Sequence, residues 1–183
     1  MALRWFPLLL GTLVWAVGAL AVASPAPLDG GQYRLAPGDV IQIRVFGEPD
    51  LSFGEIRLDD SGSFSYPFLG QVSAAGLTAS GVEAVLRHGL EGDYLINPRI
   101  VVSIAAYREF FVNGEVRNPG GYPWQPGLTL RQAVSMAGGL TERASQRRMS
   151  IIREGDASRR PEPVDMDTPV HPGDIIEIRQ GLF

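Results

Sequence analysis

One eight-residue pattern occurs twice in this chain and constrains the fold more than any other feature. It reads Pro-Gly-Asp-(Val/Ile)-Ile-x-Ile-Arg, at residues 37–44 and again at residues 172–179. Proline presets φ and glycine tolerates positive φ, so the first three residues predict a turn. The alternating apolar residues that follow predict a half-buried strand. Each copy is therefore predicted to be a turn that starts a strand, with the aspartate capping the turn rather than performing chemistry.

Residues 33–107 combine strand patterns with one helix pattern. After the first octamer, two short apolar segments joined by the polar residues 59–62 predict a hairpin. Ser80, followed three residues later by Glu83, predicts a helix that starts with a capping box. The apolar face of this helix is predicted to hold Val82, Val85, Leu86 and Leu90. The alternation of residues 100, 102 and 104 then predicts a returning strand, which gives an α+β unit.

Residues 108–183 repeat this plan in a different order. A strand that turns at Asn113 and Gly114 is followed by a Pro- and Gly-rich segment, predicted to be loop or edge strand. Thr129 and Gln132 form a second capping-box pattern, and the glycine pair at 138–139 predicts the end of that helix. Two further strands follow, the last being the second octamer. The chain is therefore predicted to be α+β, with a small β-grasp-like domain after a boundary near residues 107–109.

The first 23 residues have the pattern of a Sec signal peptide. Arg4 precedes a long uncharged apolar run that ends in Ala21-Val22-Ala23. This A-x-A motif predicts cleavage between Ala23 and Ser24, although an uncleaved membrane anchor is the alternative because the run approaches spanning length. Residues 24–32 are predicted to be a flexible leader. The chain has no cysteine, so it is expected to reach the periplasm without a lipid anchor.

The composition argues against several classes of function. The net charge is −4, and it becomes −5 without Arg4, which disfavours a nucleic-acid-binding protein. His88 and His171 are too far apart in sequence to suggest a metal site. The serines at 61, 63 and 65 lack the context of a catalytic nucleophile, and Asp59-Asp60 is explained by a turn. We therefore expect no enzymatic activity, no metal and no cofactor.

Several segments, in their order, resemble a known family. The segments "YRLAPGDVIQIRVFGEPDLS", "DDSGSFSYPFLGQVSAAGLT" and "YLINPRIVVSI" are similar to the N-terminal domain of the Wza-like outer-membrane polysaccharide export proteins. The segment "FFVNGEVRNPGGYPWQPGLTLRQAVSMAGGLT", with the later "HPGDIIEIR", resembles the soluble-ligand-binding β-grasp (SLBB) domain that follows it in that family. The resemblance implies an export domain over residues 33–107 and an SLBB domain over residues 108–183.

The resemblance also implies a function. We expect a non-catalytic periplasmic component of exopolysaccharide or capsule export, associated with the outer membrane, that forms a homo-oligomeric ring around the polysaccharide. The lipid-bearing cysteine and the pore-forming C-terminal helix of Wza-like members are expected to have no counterpart in this protein. The expected partners are therefore an outer-membrane protein, most simply a β-barrel, and an inner-membrane polysaccharide copolymerase. The alternative is a monomeric periplasmic module that binds a carbohydrate or another small ligand.

Candidate contacts to the polymer or to a neighbouring subunit come from two features. Trp124 lies in a Pro- and Gly-rich segment and is expected to be the most exposed of the nearby aromatic residues. An arginine-rich stretch supplies Arg143, Arg147 and Arg148, with Arg153, Arg159 and Arg160 after them. These arginines are predicted to contact an anionic polysaccharide or a partner subunit, and a solvated surface is the alternative interpretation.

Overall fold

The computed structural model describes residues 33–181. The predicted signal peptide, its cleavage site at Ala23 and Ser24, and the leader at residues 24–32 lie outside the described residues. Within the described part, the chain forms ten strands, two α-helices and one short 3-10 helix. The α+β fold class predicted from the sequence is confirmed.

The first unit comprises residues 33–106 and contains two separate sheets. Strand β1 lies between β2 and β5, and both pairings are antiparallel. Strands β3 and β4 form a hairpin of their own, and helix α1 packs against the unit's core. The elements are β1 (Val40–Val45), a 3-10 helix (Pro49–Leu51), β2 (Phe53–Arg57), β3 (Ser63–Tyr66), β4 (Gly70–Ser73), α1 (Ala79–Leu90) and β5 (Ile100–Ala106).

The second unit comprises residues 110–180 and is built on one five-stranded sheet. The strand order is β7-β6-β10-β8-β9, with β10 parallel to β6 and antiparallel to β8. Helix α2 covers one face of this sheet and contributes buried residues to its core. The elements are β6 (Phe110–Gly114), β7 (Gly120–Tyr122), α2 (Leu130–Met136), β8 (Ala144–Ile152), β9 (Glu162–Pro163) and β10 (Ile175–Gln180).

Each octamer supplies a central strand of its own sheet. Strand β1 is paired on both sides in the first unit, and β10 is paired on both sides in the second. The isoleucines at the same place in the two copies are at most 1% exposed: Ile41, Ile43, Ile176 and Ile178. The prediction of a turn followed by a half-buried strand is confirmed for both copies. The same local sequence thus forms a turn and a buried central strand in both units.

The described residues bury two separate apolar cores. One core draws its buried residues from positions 35–102, and the other from positions 110–178. The boundary predicted near residues 107–109 falls between them. Because the two octamers lie in different sheets, no strand pairing links the two copies of the pattern within residues 33–181.

The start of α1 differs from the prediction. Thr78, rather than Ser80, is the N-cap residue, because its backbone is extended and its side chain accepts a hydrogen bond from the Gly81 N–H at 3.1 Å. Glu83 does not complete a capping box; its carboxylate accepts the Val102 N–H of β5 at 2.8 Å. At α2 the prediction is confirmed, since Gln132 accepts the Thr129 N–H at 2.9 Å.

The predicted hairpin across residues 59–62 is wrong in its pairing. The turn itself forms, because one Asp59 oxygen accepts the N–H groups of Ser61 and Ser63, each at 2.9 Å. The strands that it connects do not pair with each other: β2 pairs with β1, and β3 pairs with β4. The chain reverses after β3 instead, at Phe68, whose φ is +66°. A local turn signal does not show which strands will become neighbours.

Candidate functional site

The turns that open the two octamer strands have the same internal geometry. Gly38 and Gly173 have φ values of +88° and +82°, which favour glycine. Asp39 accepts the Ala36 N–H at 2.9 Å, and Asp174 accepts the His171 N–H at 2.7 Å. Each aspartate therefore caps its own turn, as predicted from the sequence.

Both capping aspartates are buried, at 0% and 1% exposure, and both are paired with an arginine. Asp39 accepts the Arg108 backbone N–H at 3.0 Å and lies 3.4 Å from the Arg108 guanidinium. Asp174 pairs with the guanidinium of Arg153. A buried carboxylate without a partner is strongly unfavourable, so these arginines are part of each turn's structure. From the sequence, Arg153 was predicted to belong to the arginine-rich stretch that contacts polymer or a partner subunit. Arg108 was not identified from the sequence.

Arg108 connects the first turn to the second unit. Its Nη1 group donates to the Tyr33 hydroxyl at 2.7 Å, and that hydroxyl donates to Asp39 at 2.8 Å. Its Nε group donates to Glu154, which follows β8, at 2.5 Å. Burial, together with the hydrogen bond to Asp39, raises the pKa of Tyr33, so the hydroxyl stays protonated and keeps donating.

Three aromatic rings pack together beside this ion-pair network. Tyr107 makes edge-to-face contacts with Tyr33 and Trp124, with ring centroids 4.9 Å and 4.8 Å apart. The expectation that Trp124 is exposed is wrong, because the residue is only 7% exposed. Its indole N–H donates to the Val170 carbonyl at 2.5 Å. The loop between β7 and α2 therefore folds its tryptophan onto the second core.

A cleft of about 560 Å³ opens between the two turns. Its charged lining consists of Arg57, Arg108, Glu109, Arg153, Glu154 and Arg159, and both turn glycines reach its wall. Arg57 also donates to the Gly38 carbonyl at 2.9 Å. Apolar side chains, including that of the partly exposed Phe111, complete the lining. The volume lies in the range that holds small ligands in other proteins.

The remaining arginines predicted as contacts do not gather at this cleft. Arg143, Arg147 and Arg148 are all exposed. Arg147 and Arg148 are neighbours in β8, so their side chains leave opposite faces of the sheet. Arg148 donates to the Gln180 carbonyl at 2.8 Å. Their role as contacts stays a prediction, and they do not form one continuous patch.

The two histidines lie in different units. His88 is exposed on α1, and His171 approaches Arg153 with its Nδ1 atom 2.9 Å from that guanidinium. Across residues 33–181, no three or more carboxylate or histidine side chains gather as a group that could hold a metal ion. In that same part of the chain, neither helix has the length and apolarity needed to cross a membrane.

Comparison with known families matches both parts of the chain. Residues 28–105 match the family described as polysaccharide biosynthesis/export protein, and residues 110–162 match the SLBB domain. The chain contains the domain of polysaccharide biosynthesis/export proteins, followed by an SLBB domain. This confirms the resemblance seen in the sequence segments. We refer to the first unit as the export domain and to the second as the SLBB domain.

Three curated relatives have names that refer to exopolysaccharide production, polysaccharide export or polysialic acid transport. The chain is 34% identical over 140 residues to the exopolysaccharide production protein ExoF of Rhizobium meliloti (strain 1021), which is 68% of this chain and 32% of the relative. It is 26% identical over 181 residues to the EPS I polysaccharide export outer membrane protein EpsA of Ralstonia nicotianae (strain ATCC BAA-1114 / GMI1000). That match covers 81% of this chain and 47% of the relative. It is 28% identical over 129 residues to the polysialic acid transport protein KpsD of Escherichia coli. That match covers 69% of this chain and 23% of the relative. The chain spans less than half the length of each of these relatives.

The export domain exposes apolar side chains that the sequence did not point to. Phe68 and Tyr94 stack with ring centroids 4.6 Å apart, yet they are 62% and 48% exposed. Ile96, two residues beyond Tyr94, is 98% exposed. Leu69 anchors the hairpin tip, because the space beside Gly89 of α1 is filled by its side chain. The positive φ of Phe68 was not predictable from the sequence, because glycine or asparagine, rather than phenylalanine, usually occupies such a turn position.

Valine at Gly38 or Gly173 is expected to destabilise the fold by about 1–3 kcal/mol, because a β-branched residue is strained at positive φ. Gly173→Val should cost more. Its β-carbon would overlap the Glu154 carboxylate, whereas at Gly38 the nearest atom is the Arg108 Cβ at 3.8 Å. Chemical denaturation measures the free energy of unfolding of both variants. Gly155→Val is the control, since that glycine has open space around it and no positive φ. Unchanged stability with lost polysaccharide export would contradict a structural role for the turns.

Proposed function

We propose that this protein is a non-catalytic subunit of an exopolysaccharide or capsule export machine. It acts in the periplasm beside the outer membrane, where several copies form a ring that guides the polymer outward. The observation that carries the proposal is the order of an export domain and an SLBB domain in one chain. The printed names of three relatives, which refer to exopolysaccharide production, polysaccharide export and polysialic acid transport, support it.

The surface of the export domain supports association between copies. Phe46, Phe68, Tyr94 and Ile96 are each between 48% and 98% exposed in the single chain. Phe68 and Tyr94 stack on each other, and contiguous exposed apolar surface is typical of sites that another molecule covers. Neighbouring copies in a ring would remove these side chains from water and gain stability from their burial.

The proposed mechanism is geometric rather than chemical. A polymer must slide through the ring, so individual contacts should be weak and numerous. Arg143, Arg147 and Arg148 are proposed to provide such contacts to an anionic polymer or to a neighbouring subunit, because all three are exposed. Trp124 is no longer proposed as an exposed contact, because it is buried. The proposed protein partners are an outer-membrane component and an inner-membrane polysaccharide copolymerase.

Two measurements test the proposal together. Deletion of the gene is expected to abolish polysaccharide at the cell surface while the polymer accumulates inside the cell, and a plasmid copy should restore export. The purified protein is expected to form an oligomer of one defined size by native mass spectrometry. Normal surface polysaccharide in the deletion strain would overturn the export role, and a protein that stays monomeric at all concentrations would overturn the ring.

A monomeric ligand-binding module is the second candidate function. The cleft of about 560 Å³ between the two octamer turns favours it, since the cleft has apolar walls and several charged groups. This alternative predicts a monomer that binds short fragments of the exported polysaccharide in isothermal titration calorimetry. Its binding should weaken on substitution of Arg57 or Arg159, which line the cleft. A defined oligomer that does not bind fragments would support the ring subunit instead.

A further inference from the structure

Arg108 lies in the short connection between the two domains and bonds to both. Strand β5 ends at Ala106 and β6 begins at Phe110, so only residues 107–109 join the domains. On the export side, the Arg108 backbone N–H donates to Asp39 at 3.0 Å, and its Nη1 group donates to the Tyr33 hydroxyl at 2.7 Å. On the SLBB side, its Nε group donates to Glu154 at 2.5 Å. One side chain therefore bridges the two domains across their connection.

The export half of this bridge is firmly held. Asp39 is 0% exposed, and the Arg108 side chain is 20% exposed. Breaking a buried pair would leave an uncompensated charge in a poorly solvated place, which is strongly unfavourable. Burial alone would lower the pKa of Arg108, but the neighbouring Tyr33, Glu154 and Asp39 raise it overall, so the guanidinium stays charged. Arg108 is thus fixed to the export domain and donates its Nε–H to the SLBB domain.

The second octamer turn comes close to the same side chain. An added β-carbon at Gly173 would lie 3.0 Å from the Arg108 Nε atom and would overlap the Glu154 carboxylate. The Gly173 N–H also donates to the Glu109 carbonyl at 3.0 Å, directly after Arg108 in the chain. A glycine without a β-carbon is therefore what allows the SLBB turn to approach the arginine. The two turns lie on either side of Arg108.

Aromatic packing at Tyr107 also holds the two domains together at their connection. Tyr33 of the export domain and Trp124 of the SLBB domain both contact Tyr107, which directly precedes Arg108. Tyr33 belongs to both groups, because its hydroxyl bonds to Asp39 and Arg108. Two domains joined by a short connection move relative to each other by default unless their interface holds them. Here both an ion-pair network and an aromatic cluster oppose that motion.

We propose that Arg108 is the positioning residue that fixes the angle between the export domain and the SLBB domain, through Asp39 on one side and Glu154 on the other. The two domains then behave as one rigid body in the single chain, before any assembly. The proposal does not rest on the proposed export function, because it concerns the geometry of one chain.

The experiment measures the distance between the domains with spin labels. The chain contains no cysteine, so Ala84→Cys on α1 and Ser135→Cys on α2, both exposed, place one label on each domain. Labelled protein is diluted with an excess of unlabelled protein, so that only distances within one chain contribute. Double electron–electron resonance then gives the distribution of distances. The parent protein is expected to give one narrow distribution.

Two substitutions separate positioning from folding. Glu154→Gln removes the charge on the SLBB side and leaves the buried Asp39–Arg108 pair intact, so the distribution should widen while the melting temperature stays close to the parent's. Arg108→Gln should widen it further and also lower the melting temperature, because Asp39 loses its charged partner. The control is Glu177→Gln, which removes the exposed Arg179–Glu177 pair on β10, away from the joint, and should change neither measurement.

Each result of the distance measurement either supports or contradicts the proposal. A distribution that widens in Glu154→Gln without a loss of stability supports the positioning role, since a merely structural residue would change stability instead. A parent distribution as wide as that of Arg108→Gln would overturn the proposal. So would a Glu154→Gln distribution identical to the parent's. Because the measurement needs neither polymer nor ring, its failure would leave the deletion experiment on export unaffected.

Discussion

Replacing Gly114 with alanine is expected to destabilise the SLBB domain by more than about 3 kcal/mol, a sum of backbone strain and steric overlap. Gly114 ends β6 with φ at +86°, a value that costs alanine free energy. An added β-carbon would also overlap the carbonyl oxygen of Ile178 in β10, which is main chain and cannot rotate away. That oxygen accepts the Glu115 N–H at 2.8 Å, so the β6–β10 pairing must shift. Urea denaturation followed by circular dichroism measures the loss.

Two alanine substitutions in the same domain separate the causes. Gly127 has φ at +81° with open space around it, so Gly127→Ala reports the backbone strain alone. Gly120 has open space and no positive φ, so Gly120→Ala should have little effect. The expected order of destabilisation is Gly114, then Gly127, then Gly120. Equal losses for Gly114→Ala and Gly127→Ala would show that the overlap with Ile178 is relieved at no cost.

Truncation of Trp124 to alanine is expected to destabilise the protein by about 3–5 kcal/mol, the usual range for a buried aromatic residue. The side chain is 7% exposed and belongs to the SLBB core, and its ring also contacts Tyr107. Its loss would leave the Val170 carbonyl without its hydrogen-bond donor. Thermal and chemical unfolding, followed by circular dichroism because the substitution itself changes tryptophan fluorescence, measure the effect.

Two comparisons test whether burial is the cause. Trp124→Phe keeps an aromatic ring but loses the indole N–H, so its effect should be intermediate. Phe111→Ala removes an aromatic side chain that is 44% exposed and should cost much less than Trp124→Ala. If Trp124→Ala kept its full stability and lost only its affinity for polysaccharide, the expectation from the sequence of a surface contact would be right after all.

Features encoded by neighbouring residues were predictable from the sequence. Both octamer turns, their capping aspartates and the strands that follow depend on residues within a few positions of each other. The same holds for α2, whose capping pair and glycine stop are adjacent to the helix. At α1 the helix was predicted, but its first residue was misplaced, because Glu83 forms a bond to β5 that lies 19 positions along the chain.

Features that depend on distant partners could not be read from the pattern. The pairing of β2 with β1 rather than β3 depends on which strand edges remain free after the core forms. Trp124 is buried because the chain brings Val170 over it, 46 positions away. The sequence assigned Asp39 to its turn but gave no sign of Arg108, which is 69 positions distant. The sequence therefore predicted both turns at the connection between the domains, but it did not predict the arginine between them.

The two outermost strands of the SLBB sheet are very short, and this affects how copies can crowd together. β7 has three residues and β9 has two, the second of which is Pro163 and has no N–H to donate. These two strands alone give another strand few main-chain groups to pair with. β9 pairs only with Ser150 and Ile151 of the nine-residue β8, and the exposed Arg147 and Arg148 lie on the rest of that strand. Charged side chains on such a strand hinder pairing with the sheet of a neighbouring protein. Contacts between SLBB domains must then rely on side chains, which can be changed one at a time. A crowded compartment therefore poses little risk of fibre formation through this sheet.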